Sequence, residues 1–369
     1  MKLSDREYME TVKVELLKKV DNSYRITIGK GLFPQIVKYI ADSNYGKVAV
    51  ITDTNVSKLY GKKLLSILKA KKVPAELFSF RAGEASKTRE VKAKIEDALT
   101  LKGFKRDSVV IALGGGVVGD LAGFVASTYM RGVPFIQIPT TLLAMVDSSI
   151  GGKTGIDTAY GKNLIGAFYQ PEAVFIDVGL LRTLDRKEML NGVVEMVKHG
   201  VIADKKYFLF MRNNINRIYK FEDKVLIKAI KRSCQIKKKI VEADEKEGSI
   251  RKMLNLGHTI GHAIEKTSGY KFSHGISVGM GLVVETKIAE RLNMISSIES
   301  QRIIDLLTKL GIKIKFSDVD IRDIVKNTLF DKKNTAGKTN YVLPLKVGKV
   351  AIDVSVKEKI IFEVLQQST

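Results

Sequence analysis

From residue 47 onward, short apolar runs alternate with stretches in which Leu, Ile and Val recur at helical spacing. Lys47–Asp53 (KVAVITD) is a continuous apolar run that ends on a polar residue, and it predicts a buried strand. Val56–Lys71 has the spacing of a helix, Ala75–Phe80 of a second strand, and Val91–Leu101 of a second helix. Ser108–Leu113 (SVVIAL) predicts another buried strand, running straight into three glycines, Gly114–Gly116. Pro134–Ile138 and Ala173–Asp177 complete the set. Unbroken apolar strands with helices between them predict a mostly parallel sheet covered on both faces.

After about Leu184 the pattern changes. Arg186–Val201, Lys206–Tyr219, Asp223–Glu242, Met253–Thr267, Ile276–Leu292 and Ser300–Leu310 all read as amphipathic helices. A short pair of strands, Asn340–Leu343 with Lys349–Val354, closes the chain. The expectation is an α/β N-terminal domain over residues 1–184 and a mainly α-helical C-terminal domain over 185–369, with the boundary between 182 and 188. In open α/β sheets ligands collect beyond the carboxyl ends of the strands, so the cleft between the two domains is the expected site.

Composition narrows the function classes. With 45% hydrophobic and 28% charged residues the chain is globular rather than disordered. No apolar run approaches the ~20 residues of a membrane span. The opening MKLSDREYMETVKVELLKK lacks the apolar core of a secretory signal. One cysteine, Cys234, cannot form an internal disulfide, which fits a reducing, cytoplasmic compartment. Lys and Arg number 62 against 40 Asp and Glu, a net charge of +22. The excess lies in short groups such as Lys71–Lys72 and Lys237–Lys239, with no basic tail and no zinc-finger spacing. That distribution is a solvated surface rather than a nucleic-acid face, and an anionic small substrate needs only a few local cations.

Three groups of residues carry chemistry. The first is Gly114-Gly115-Gly116-Val117-Val118-Gly119-Asp120, which follows a buried strand and opens a helix over Leu121–Tyr129. Glycines admit a phosphate to the backbone, and the helix start offers N–H groups to it, the setting for a dinucleotide pyrophosphate. The turn lies after a late strand rather than the first and lacks the Gly-Lys-Ser/Thr ending of a P-loop, and a tight turn without a ligand is the bland reading. Asp53 and Asn55, ending an earlier strand, are placed to hydrogen-bond an adenosine ribose.

The second group is the histidines. All four, His199, His258, His262 and His274, fall in the helical half. His258 and His262 are four apart in GHTIGHAIE, and Glu195 and His199 are four apart in VEMVKHG, so each pair shares a helix face. Imidazoles with a carboxylate make a metal site of the catalytic zinc type; ordinary helical histidines are the alternative, and spacing does not select three ligands. The third group is the stretch from Tyr129 to Pro171, with Arg131, Thr140, Thr141, Asp147, Lys153, Lys162 and Asn163 among glycines 151, 152, 155 and 161. Polar, cationic and flexible, it reads as a loop that clamps carboxylate or phosphate.

The segments GGGVVGDLAGFVASTYMRG, IQIPTTLLAMVDSSIGGKTGID, GKNLIGAFYQP, LNLGHTIGHAIE and the late DKK resemble the 3-dehydroquinate synthase family, over nearly the whole chain from Val14. The resemblance implies a Rossmann-like N-terminal domain, a helical C-terminal domain and a homodimer. It implies a lyase of the shikimate pathway, dependent on NAD and on Zn²⁺ (or Co²⁺). That lyase turns 3-deoxy-D-arabino-heptulosonate 7-phosphate, an anionic sugar phosphate, into 3-dehydroquinate plus phosphate. Transient oxidation, phosphate elimination, re-reduction and aldol closure follow one another on one substrate.

Position by position, the resemblance implies Glu195, His258 and His274 as metal ligands, with His199 a neighbour. NAD would meet Asp53, Asn55, Glu84, Lys87, Gly115, Gly116, Val117, Val118, Gly119, Asp120, Thr140, Thr141, Lys153, Lys162, Leu181, Arg182 and Thr183. Substrate would meet Arg131, Asp147, Lys153, Asn163, Lys198, Lys237, Arg251, Asn255, His262 and Lys332. Two positions depart from the family pattern: Arg81 stands where proline precedes the Gly-Glu of the NAD-binding segment, and Ile276 stands where glutamate follows the third ligand. The second change bears on how His274 is oriented. The rivals are another sugar-phosphate cyclase and a metal-dependent polyol dehydrogenase of the same fold.

Overall fold

The computed structural model of the chain describes residues 21–314, 320–329 and 340–368. Its first strand, β1 (Arg25–Gly29), is followed by β2 (Val48–Asp53), β3 (Ala75–Phe80), β4 (Val109–Gly114) and β5 (Phe135–Pro139). A hairpin of β6 (Lys153–Thr158) and β7 (Gly161–Phe168) precedes β8 (Ala173–Asp177). Six strands form one sheet in the order β1-β8-β5-β4-β2-β3, every pair parallel. The chain leaves β2 to pair β3 on one side and returns to pair β4 on the other. That reversal opens a crevice at the carboxyl ends of β2 and β4.

The strands read as unbroken apolar runs because both faces are buried. Val48 and Val50 point into one core, Ala49 and Ile51 into the other. The second core is closed by helices Arg89–Leu101 and Gly116–Thr128 through Ile95, Leu99, Leu121 and Val125. The first runs from Phe33 and Ile36 under the sheet into the helical half and on to Leu365. There the helices are Arg186–Ala203, Lys205–Tyr219, Asp223–Ala243, His258–Thr267, His274–Arg291, Ser297–Lys309, Ile321–Leu329 and Glu358–Gln366. The expected late strands pair antiparallel as β9 (Asn340–Lys346) and β10 (Lys349–Ser355). Helix Arg186–Ala203 is the axis of this half: every residue from Asn191 to Ile202 is buried.

Three segments differ from the sequence reading. Residues 153–168 are not an open loop but the antiparallel hairpin β6–β7. Its glycines are strand glycines: a Cβ on Gly166 would sit 1.9 Å from the Thr154 carbonyl oxygen, so only glycine admits that backbone approach. The helix expected from Met253 is a three-ten turn (Ile250–Asn255), broken at Gly257 with φ +80°, and regular only from His258. Val56–Lys71 is regular only from Lys62. Among the described residues no helix is long and apolar enough to cross a membrane.

Candidate active site

The residues expected to hold a dinucleotide gather along one rim. Asp53 ends β2, Gly115, Thr140 and the Leu181–Thr183 turn stand past the carboxyl ends of β4, β5 and β8, and Glu84 and Lys87 follow β3. The Asp53 carboxylate accepts the N–H groups of Asn55 and Val56 at 2.8 and 2.9 Å, turning the chain sharply after β2. Thr140 N–H donates to Gly114 O at 2.9 Å and locks the glycine turn to β5. A Cβ on Gly114 would lie 2.4 Å from Val118, and one on Gly115 3.0 Å from Thr141. The turn is therefore closed to side chains, and the first N–H groups of helix Gly116–Thr128 lack intrahelical partners. On the same rim the Tyr60 hydroxyl donates to Leu180 O and lies 2.7 Å from Thr183 Oγ1.

Lys87 ties three segments together. Its ammonium donates to Asp120 Oδ2 at 2.6 Å and to Asn163 Oδ1 on the hairpin, and its carbonyl accepts Asp157 N–H at 2.7 Å. Burial opposes its charge, but Asp120 and Glu84 outweigh burial and hold its pKa above that of an ordinary lysine.

The opposite wall comes from three helices. Glu195 and Lys198 stand on Arg186–Ala203, while His258 and His274 are the first residues of the next two site helices. Glu195 Oε1 lies 3.6 Å from His258 Nε2 and 3.7 Å from His274 Nε2. Both carboxylate oxygens are buried, and among the described residues neither takes a hydrogen bond of good geometry. Lys198 sits against Oε2 as an ion pair. A tetrahedral ion with bonds of ~2.0–2.1 Å spaces its ligands about 3.3 Å apart, so the three groups fit a divalent cation. Asp147, Glu195 and His199 form a second such cluster, but it is taken up by lysines: Lys237 donates to Asp147 Oδ1 at 2.6 Å.

His199 is not in the first group. Its Nδ1 lies 2.7 Å from Ser233 Oγ, and burial drives its pKa down to about 3. Burial would also push His274 down, but Glu195 and Glu265 on either side raise it to about 9. Asp147 stays ionised: burial works against its charge, yet Lys237 and Lys198 hold it well below the usual carboxylate range.

Cations surround this set. Lys198, Lys237 and Arg251 are 1%, 5% and 2% exposed. The Arg251 guanidinium donates to Gly151 O at 3.1 Å and to Glu245 O. Lys153 pairs with Glu247, which also accepts from Asn255 Nδ2 at 3.0 Å. The His262 ring centre is 5.2 Å from that of His258 and 6.1 Å from that of His274.

Arg131 lies exposed past the far end of the 13-residue helix Gly116–Thr128, about 20 Å from the glycine turn. Lys332 lies outside the described residues. Asn191, Glu265 and Glu285 also belong to the site, and none of them is among the residues expected from the sequence. Asn191 Oδ1 accepts Gly275 N–H at 2.9 Å and so docks the start of the His274 helix one turn from Glu195. Glu265 Oε2 lies 3.6 Å from His274 Nδ1, on the side of the ring away from Glu195. Its signal lies in the residue spacing, since His258, His262 and Glu265 fall at i, i+4 and i+7 of one helix.

The fold and site define a class: an α/β sheet with a nucleotide-type glycine turn, facing helices that carry a carboxylate–imidazole metal set among buried cations. Family models for the 3-dehydroquinate synthase N-terminal and C-terminal parts match residues 77–191 and 192–334, and the chain belongs to the 3-dehydroquinate synthase family. It is similar to the 3-dehydroquinate synthase of Thermoanaerobacter sp. (strain X514), 46% identical over 321 residues, 87% of this chain and 90% of the relative. Among solved structures it is similar to the 2-epi-5-epi-valiolone synthase of Streptomyces hygroscopicus subsp. jinggangensis 5008 with NAD⁺ and Zn²⁺ bound. That match has a TM-score of 0.88 at 25% identity and covers 96% of this chain and 99% of the other. It is also similar to a 2-deoxy-scyllo-inosose synthase complexed with carbaglucose-6-phosphate, NAD⁺ and Co²⁺, with a TM-score of 0.83 at 25% identity, covering 93% and 96%.

Proposed function

We propose that this protein converts 3-deoxy-D-arabino-heptulosonate 7-phosphate into 3-dehydroquinate and phosphate, with NAD and Zn²⁺ or Co²⁺ as cofactors. Family membership supports the reaction, and the fit of Glu195, His258 and His274 to a divalent ion supports the metal. When bound, the nicotinamide would take up and return a hydride and the ion would polarise substrate oxygens.

The observation that carries the reading is the set of buried cations. Hydride transfer alone gives no reason to bury Lys198, Lys237 and Arg251 together. Buried charge is costly unless paired, and a phosphate and a carboxylate on one substrate are suitable partners. Lys153, Lys198, Arg251 and Asn255 bind those groups, and Lys153 exchanges Glu247 for substrate. Asp147 is a fixed anion that holds Lys237 in place rather than a proton donor. His262 offers an imidazole to a substrate hydroxyl beside the metal set. Asn163 and Lys332 complete the substrate shell in this reading.

The two domains are residues 1–184 and 185–369, with NAD held by the first and the ion by the second. The protein works in the cytoplasm, without nucleic acid, as a homodimer. The test is to supply the heptulosonate phosphate, NAD and Zn²⁺ and identify the products. The reading expects one phosphate per carbocycle with flat nicotinamide absorbance. Steady accumulation of NADH would replace it with the polyol dehydrogenase, and a different ring with another cyclase.

A further inference from the structure

We propose that Glu265 is a positioning residue for the metal centre, and that it links His274 to the hairpin β6–β7 through Lys162. The inference rests on the metal reading of Glu195, His258 and His274 given above.

The two nitrogens of His274 face two different carboxylates. Nε2 is 3.7 Å from Glu195 Oε1, and Nδ1 is 3.6 Å from Glu265 Oε2. This arrangement sets the ring plane and assigns the nitrogens: Nδ1 toward Glu265, Nε2 toward the ion. The other oxygen of Glu265 accepts from Lys162 Nζ at 2.8 Å, and that ammonium also lies 4.6 Å from the centre of the Tyr270 ring. Glu265 is buried, so its charge is tolerable only with partners, and it has one on each oxygen.

Lys162 comes from the opposite wall. It stands on β7, whose neighbour β6 packs Thr154 against Gly123 of helix Gly116–Thr128, the helix that opens at the glycine turn. Nucleotide rim, hairpin, Lys162, Glu265 and His274 therefore form one connected path. Carboxylates that hold the second nitrogen of a ligating histidine typically contribute about 10–100-fold to metal affinity.

The experiment titrates metal-stripped full-length protein with Zn²⁺ against a chromogenic chelator and records the metal-free thermal melt. Glu265→Gln is expected to weaken Zn²⁺ by about 10–100-fold with the melt little changed, and Glu265→Asp to fall between it and wild type. Lys162→Met is expected to weaken Zn²⁺ by a smaller factor, and the double variant to be no weaker than Glu265→Gln alone, because Lys162 acts through Glu265. His274→Ala reports on the underlying reading. If His274→Ala loses the metal while Glu265→Gln binds as wild type, the inference is overturned and the metal reading stands. If His274→Ala binds as wild type, the metal reading itself is overturned. Additive effects of Lys162→Met and Glu265→Gln would break the link to the hairpin. Collapsed melts in both Glu265 variants would make the residue structural and overturn its positioning role.

Discussion

The carboxylate of Glu285, on the helix that His274 begins, accepts the backbone N–H of Gly257, one residue ahead of His258. The same side chain accepts Ile260 N–H at 3.3 Å. One of the two histidine-bearing helices thus caps the start of the other, where unpaired N–H groups favour an anion. The helices touch through glycine: a Cβ on Gly281 would lie 2.1 Å from Gly257 O.

Gly281→Ala is therefore expected to destabilise the protein by about 3 kcal/mol, the upper part of the overpacking range, because the obstacle is backbone. It should also weaken Zn²⁺, since His258 shifts relative to His274. Urea melts and chelator competition measure both. Wild-type values in the two assays would show that the helices slide apart freely.

Lys198 and a divalent cation want the same carboxylate. Lys198→Met should bind Zn²⁺ no more weakly than wild type, while turnover of the sugar phosphate falls by orders of magnitude and the melting temperature holds or rises. Glu195→Ala should instead lose the ion altogether. A large drop in melting temperature for Lys198→Met would make that cation a support of the fold.

The raised pKa of His274, about 9, makes metal binding a proton exchange. Below that pH the imidazole carries a proton that a metal must displace. Zn²⁺ affinity should rise about tenfold per pH unit from roughly 6.5 to 9 and level off above. In the metal-free protein the sign is opposite. A folded pKa above the unfolded value stabilises the fold below about 6.5, and that stabilisation is lost as pH rises through about 9. Calorimetry in buffers of different ionisation enthalpy should find close to one proton released per Zn²⁺ at neutral pH; none released would mean the ring is already neutral.

Lys87→Met should lower NAD affinity about tenfold or more, the scale of a lost charge-assisted hydrogen bond, because Asp120 and Asn163 lose their common partner. Zn²⁺ affinity should stay at the wild-type value. Equal loss of both would place Lys87 in the general scaffold.

What could be read from the chain follows from how local each signal is. β2 and β4 were legible because strands buried on both faces are unbroken apolar runs. β1 was not: RITIG is short, sits at the sheet edge and buries little. The hairpin was hidden by its own glycines, which mark a loop until the approach of Gly155 to Gly166 is seen. Glu195, His258 and His274 could be named only with the help of the family resemblance, since i, i+4 spacing allows several ligand sets. Asn191 and Glu285 carry no local signal, because their partners, Gly275 and Gly257, lie 84 and 28 residues away.

The apolar interior that begins at Leu32 beneath the sheet continues without a seam to Leu365 in the final helix. Removing the helical half would leave helices Phe33–Ala41 and Lys62–Ala70 on that face of the sheet but uncover the rest of the shared interior, so the half that carries the sheet is not a detachable module. Heat should meet a single cooperative unit: one calorimetric endotherm, with calorimetric and van't Hoff enthalpies in agreement, and no plateau in which one wall of the cleft survives the loss of the other.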